Sequence, residues 1–300
     1  MKVYTPDYYN QFQCIASACI RSCCVGWEIM LDDETYEKYK QDEWLNKHIA
    51  KNEDGFCIVQ DDAGRCPFLN KDNLCDIILK YGEQAIGQIC TDHPRFRFDF
   101  ETHTEMGLGL CCEEACRLIL QNKEKVQFAM PDLENLSERE QAFYKLRAIL
   151  FEIAQNRDLN TEEKFLNLQK RCGGYLPELQ PAQWINVFSA LEQMDKGWMS
   201  CLSSLNAGKN KEICPIKAEQ LLVYFLYRHL PEGLYDGRFQ ERILFCVLSA
   251  KIICDIAERC TVYSFEEIAS LYSAEIEYSE DNTQNLLDFL EESLVFTENS

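Results

Sequence analysis

Positive charge is scarce in this chain of 300 residues: Lys and Arg number 30 against 50 Asp and Glu, a formal net charge of -20. Nucleic-acid binding needs a basic footprint to neutralise phosphates, so that class of partner is excluded. Long apolar runs are missing as well. A membrane span needs about 20 consecutive apolar residues. The best stretch, residues 243–256, is broken by Lys251 and flanked by Arg242 and Asp255, as suits a buried core helix. The opening MKVYTPDYYN lacks the apolar core of a secretory signal. Together these absences lead to the expectation of a cytoplasmic protein with no membrane partner. Histidine is rare, limited to His48, His93, His103 and His229, and no C-x2-C pair occurs anywhere.

Cysteine, by contrast, is abundant, with 17 in the chain, in a composition (46% hydrophobic, 12% aromatic) that is globular rather than disordered. Cys14, Cys19, Cys23 and Cys24 fall within the stretch CIASACIRSCCVGW, and Cys57, Cys66, Cys75, Cys90, Cys111, Cys112 and Cys116 follow. Thiols this dense form disulfides, zinc sites or iron–sulfur clusters. Disulfides fit poorly, because they persist mainly in oxidising compartments and a chain of this length can bury a core without staples. Structural zinc usually draws on C-x2-C knuckles, often with histidine. All-cysteine ligation at irregular spacing suits an iron–sulfur cluster, which takes four thiolates, although spacing alone leaves zinc open.

The fold class predicted is mainly α. An irregular cysteine-rich part, residues 1–125, carries short strands and helices on a metal site, and an all-α domain, residues 126–300, follows. In the first part Tyr4, Tyr8, Tyr9 and Phe12 are expected to shield the metal. A strand begins at Trp27, Asp32 or Asp33 caps a helix through Tyr36 and Tyr39, and residues 56–69 read as a hairpin about the turn at 61–64. Asn70–Asn73 is a turn, Cys75 opens a helix, and residues 82–90 read as one helix stopped before Pro94. Phe96, Phe98 and Phe100 alternate as a half-buried strand, and Cys111 starts a helix. Beyond the polar linker at 123–131, capping boxes at Ser137–Glu140 and Ser264–Glu267 start helices. Phe143, Leu146, Ile149, Leu150 and Ile153 then mark an inward face. Further helices are expected at 161–171, 181–194, 217–229, 237–259 and 282–294. Cys172, Cys201, Cys214, Cys246, Cys254 and Cys260 read as buried small hydrophobes.

Tyr9 and Phe12 before Cys14, then Cys19, Cys23-Cys24, Gly26 and Trp27, continue into Cys66-Pro67-Phe68-Leu69, Leu74-Cys75, Cys90, Pro94-Arg95 and the block Leu108–Ala115. Over about residues 4 to 120 this order resembles the flagellin lysine N-methylase family, within a wider group of cysteine-rich zinc- or iron-chelating proteins. The resemblance implies methyl transfer from S-adenosylmethionine to lysines of flagellin, or of another lysine-bearing protein, by an enzyme with a [4Fe–4S] cluster. It selects Cys14, Cys19, Cys23, Cys24, Cys66, Cys75, Cys90 and Cys112 as metal ligands. Eight thiolates complete two tetrahedral sites, or one cluster with spare ligands. Cys57, Cys111 and Cys116 fall outside the pattern.

No strand–G-x-G-x-G–helix fingerprint supports a Rossmann-type methyltransferase, and no C-x3-C-x2-C triplet marks a radical S-adenosylmethionine enzyme. Arg95 is a candidate to hold the carboxylate of S-adenosylmethionine through a bidentate pair, and Trp27 to stack on the cofactor or shield the cluster. His93 reads as a turn histidine, and no catalytic base is assigned. A zinc- or iron-binding interaction module and an electron carrier are the competing functions. The acidity also steers lysine-bearing partners toward the chain. It predicts no binding to duplex DNA or RNA at physiological salt; tight, salt-sensitive binding in an anisotropy titration would contradict it.

Overall fold

A computed structural model describes residues 2–298, and they are mainly α. The chain divides into two compact units. One holds the described residues up to Phe12, Arg97–Cys111 and everything from Ala115 onward; the other holds Gln13–Phe96 and Cys112–Glu114.

The first unit is built on the helix Phe239–Ala257, which is buried on nearly every face, from Arg242 through Ala250 without a break. A helix apolar all round belongs at the centre of a bundle. Pro215–His229, Thr161–Cys172, Phe265–Tyr272 and Glu280–Glu298 pack against it. The predicted capping boxes form: the side chains of Ser137 and Ser264 accept from the amides of Glu140 and Glu267. The helix Lys196–Leu202, capped by Asp195, was not foreseen. No helix among the described residues is long and apolar enough to cross a membrane.

Three buried carboxylates are matched by cations in this unit. Glu105 takes two bonds from Arg147, at 2.6 and 2.5 Å, and one from the Tyr144 hydroxyl at 2.7 Å. Glu219 lies 3.0 Å from both Lys164 and Arg157. Glu277 lies 2.6 Å from His229 and 3.2 Å from Arg228. Removing one member of such a pair costs roughly 3–5 kcal/mol, because the other charge stays buried. The helix Glu138–Ala154 therefore turns Arg147 inward, whereas Ile149, expected on the inner face, is 38% exposed.

The N-terminal aromatics pack within the unit of the helices. Lys2–Tyr4 is a strand pairing in parallel with His103–Leu108, which adjoins Arg95–Asp99 in a three-stranded sheet. Tyr4 and Tyr8 are buried there, and the Tyr9 hydroxyl reaches the Met106 sulfur at 3.9 Å. These side chains belong to the unit of the helices, not to the one that holds the eight thiols.

The second unit has a smaller core. Its sheet runs Ile29–Leu31, Phe56–Ile58, Ile49–Lys51, antiparallel throughout, with Ile58 opposite both Ile29 and Ile49. Phe56–Ile58 thus has partners on both sides, so the expected hairpin with residues 66–69 does not form. Asp32 caps the helix Asp33–Tyr39, accepting from Thr35 at 2.8 Å. Residues 82–90 are not one helix: Gly82, at φ 88°, ends the helix Asp76–Tyr81, and after a single turn at Glu83–Ala85 a new helix runs Gln88–Asp92. Ile29, Leu45, Ile58, Phe68 and Ile77 form the apolar cluster.

Of the cysteines read as core residues, Cys201, Cys246, Cys254 and Cys260 are buried, but Cys214 is exposed and Cys172 only half-buried at a helix end. Cys246→Ala or Cys254→Ala should therefore lower stability by roughly 1–2 kcal/mol, read from urea midpoints, and leave metal content unchanged.

Candidate metal and cofactor site

The eight selected thiols all lie in the second unit. The chain reaches this arrangement through local devices. Asp61 accepts from the amides of Ala63 and Arg65, both at 2.9 Å, and pins the loop that delivers Cys66. Asn70 accepts from Asp72 and Leu74, at 2.9 and 3.0 Å, and pins the loop that delivers Cys75. Such Asx turns use a short polar side chain in place of a backbone partner. Gly26 and Gly64, at φ 90° and 71°, bring two backbone segments together: Gly26 donates to the Gly64 carbonyl at 2.9 Å. A Cβ on Gly64 would meet the Gly26 backbone at 3.3 Å. One step further along, Cys66 donates its amide to the Cys24 carbonyl at 2.9 Å.

Cys24, Cys66, Cys75 and Cys90 all pack on the apolar cluster. Burial pushes the Cys66 thiol up to about 11 and the Cys90 thiol up to about 12. The thiolates of Cys24, Cys66 and Cys75 add to the effect on Cys90. Cys14 and Cys19 flank the tight turn Ala16–Ala18, and the Cys14 sulfur accepts from the Ala16 amide at 3.4 Å. The Cys19 sulfur lies 3.6 Å from a Glu113 oxygen, which also accepts from the Ile20 amide at 2.8 Å. Burial, then Glu113 and Cys112, push Cys19 up to about 12. The Cys23 thiol donates to Cys24, holding Cys24 down at about 7 and driving Cys23 upward. Among the described residues no three His, Cys, Asp or Glu side chains converge as a finished metal shell.

Cys111 and Cys112 part company despite being adjacent. Cys111 belongs to the unit of the helices, where its side chain bonds Tyr278. Cys116 lies in that unit too, its thiol donating to the Glu266 carbonyl at 3.3 Å. Cys57 stays in the cysteine-rich unit, buried on its strand with Glu28 beside it.

Trp27 and Arg95 are brought to one corner by His93. The Trp27 and His93 rings lie 5.8 Å apart. Arg95 donates to the Thr91 carbonyl at 3.0 Å, and its charge bears on His93. The Trp27 indole N–H bonds the Cys23 carbonyl, and Gln60 donates to the Trp27 carbonyl at 2.8 Å. Trp27 also lines an open depression with Glu28, Ile58, Val59 and Gln60. Nothing in the spacing of the sequence singled out His93 as the residue between these two.

Comparison with known proteins gives the same direction. The chain is 29% identical over 148 residues to lysine-N-methylases of Salmonella typhimurium and Salmonella choleraesuis, covering 46% of this chain and 35% of those proteins. It is also 29% identical over 133 residues to the flagellar biosynthetic protein FliU of Salmonella muenchen, covering 41% of this chain and 79% of FliU. The chain resembles the lysine-N-methylases. The match spans about a third of the length of those lysine-N-methylases. No family model and no solved structure matches.

Four of the thiols, Cys24, Cys66, Cys75 and Cys90, lie against apolar side chains, and Cys24 is acidified to about 7. His93 sits against Trp27 as a neutral ring. Burial first, then the Arg95 charge, holds it down at about 4. That is below the free value of about 6.5, so its contribution to stability is complete above about pH 6.5 and is lost as pH falls through about 4. An NMR titration should find the His93 ring uncharged at pH 6; a ring half-protonated there would contradict its burial.

Proposed function

We propose that this chain is a protein-lysine N-methyltransferase that uses S-adenosylmethionine and acts on flagellin or another lysine-bearing protein. The similarity to proteins named lysine-N-methylase carries this reading. The eight thiols would hold a cysteine-ligated [4Fe–4S] cluster or zinc. A cluster, when bound, supplies a redox-active or Lewis-acidic iron centre.

The chain's own residues have definable tasks. Arg95 would clamp the carboxylate of S-adenosylmethionine, since a guanidinium matches a carboxylate with two parallel bonds. Trp27 would cover the cofactor's flat base. His93, half-buried and neutral beside Trp27, presents no competing positive charge to the sulfonium. A lysine amine with a free pKa of about 10.4 must lose its proton before it can attack a methyl group. Acidic residues would draw the ammonium in, and apolar surroundings would favour its neutral form. The net charge of -20 makes encounter with a basic protein favourable over a distance.

Two measurements test this reading. Incubating anaerobically purified protein with S-adenosylmethionine and flagellin should add methyl masses to lysines; no added mass, together with no cofactor binding, would overturn it in favour of a metal-binding interaction module. Arg95→Gln should weaken S-adenosylmethionine binding about tenfold, as loss of a charge-assisted bond worth about 1.4 kcal/mol. Unchanged binding in calorimetry would remove Arg95 from the cofactor site.

A further inference from the structure

The short helices Glu43–Asn46 and Asp76–Tyr81 of the cysteine-rich unit build a corner for an ammonium group, and the chain's own Lys80 sits in it. The Lys80 nitrogen lies 4.4 Å from the centre of the Trp44 ring and 4.7 Å from that of Tyr81. The two rings stand 6.1 Å apart at 55°, as two walls that meet. Asp42 closes the edge, its carboxylate accepting from the Tyr81 hydroxyl. The face of an aromatic ring attracts a cation through its quadrupole, and a carboxylate beside two such faces adds to the pull. Tyr81 first, then the Asp42 charge, raise the Lys80 pKa above its ordinary value.

The walls are fixed from behind. Trp44 is half-buried, and its ring meets the buried Phe68 edge-on at 5.0 Å. Tyr81 is held by its bond to Asp42, and Asp42 by the amides of Trp44 and Leu45, which donate to it at 2.8 and 3.1 Å. Gln84 donates to the Tyr81 carbonyl at 2.8 Å. Lys80 is the loose member: it is exposed, and its ammonium rides on a flexible four-carbon stem. An open depression of about 530 Å³, lined by Gln41, Asp42, Glu43, Trp44 and Lys47, adjoins the corner through Asp42 and Trp44.

Resting, for the identity of the ligand, on the reading of the chain as a lysine methyltransferase, we infer that Trp44, Tyr81 and Asp42 form a docking cage for a methylated lysine of a partner protein, with Lys80 as its occupant in the free chain. A methylated ammonium suits such a corner better than Lys80 does. A primary ammonium is compact and strongly hydrated, so it gives up bound water to lie against the rings. Each added methyl replaces an N–H that needs a partner with apolar surface that the rings cover, and the charge still faces them. The incoming side chain enters by way of the depression, and Lys80 swings out to solvent. The net charge of -20 favours a lysine-bearing partner. The cage shares no residue with the proposed cofactor contacts Trp27 and Arg95. It is a second anchor, which keeps a substrate with several lysines attached after one of them has been modified.

The test is an NMR titration of the full chain with N-acetyl-trimethyllysine amide, read at the indole N–H signals. The same probe with unmodified lysine, and a neutral isostere with carbon in place of the ammonium nitrogen, run beside it. The trimethylated probe should shift the Trp44 signal, and the other two should bind about tenfold more weakly or less. Lys80→Ala should strengthen binding several-fold, because the cage no longer has to release its own cation first. Asp42→Asn, which keeps an oxygen to cap the amides of Trp44 and Leu45, should weaken it without removing any core side chain. The inference is overturned by a trimethylated probe that binds neither the unmodified chain nor Lys80→Ala, by an isostere that binds as well, or by binding that Lys80→Ala fails to strengthen. A chain that captures the probe yet methylates no flagellin would sink the methyltransferase reading and leave the cage standing. A methylating chain that ignores the probe would do the reverse.

Discussion

The close approach of Gly26 to Gly64 is the constraint on which the cysteine-rich unit depends. Positive φ at both turns favours glycine, and a Cβ on Gly64 would press on the Gly26 backbone at 3.3 Å, across the 2.9 Å bond between them. That bond aligns Cys24 with Cys66, and the Asx loop at Asn70 then sets Cys75 beside them. The thiols of Cys66 and Cys75 pack in the cluster of Ile29, Phe68 and Ile77, where burial raises their pKa and so opposes forming thiolates. A bound cation reverses that balance, because it stabilises the thiolate form directly. Metal binding at such a site also contributes folding free energy, and this matters most in a unit whose three-residue strands bury little apolar surface.

The unit of the helices solves its own problem differently. Phe239–Ala257 is sheathed by four other helices, and three of this unit's buried carboxylates, Glu105, Glu219 and Glu277, each meet a cation. Such pairs add little net stability over apolar packing but impose a single arrangement, since any other would strand a charge. Arg147 shows this best. Its guanidinium takes Glu105 as its partner while lying over the rings of Phe143, Tyr144 and Tyr227.

Features encoded by neighbouring residues were legible in the sequence. The capping boxes at Ser137 and Ser264, the Asp32 cap, the turn at Asn70 and the helix opened after Cys75 all rest on bonds within a few positions. Features set by distant partners were not. Phe56–Ile58 pairs with strands on both sides, which no local turn signal reveals, and Tyr4 finds its place through a parallel strand a hundred residues away. The inward turn of Arg147 depends on Glu105, which is remote in sequence. The segment Ser273–Glu277, for which no element was expected, is a π-helical turn that sets Glu277 against His229. In the candidate site the order and flanking residues of the cysteines were legible in the sequence.

The central claim is that these cysteines hold metal through sulfur alone. X-ray absorption at the metal edge of the loaded full chain tests it most directly. The account predicts a first shell made only of sulfur, with cysteine sulfurs at about 2.3 Å if the metal is zinc, or thiolate and sulfide sulfurs with an iron neighbour if it is a cluster. A first shell dominated by nitrogen or oxygen would contradict it.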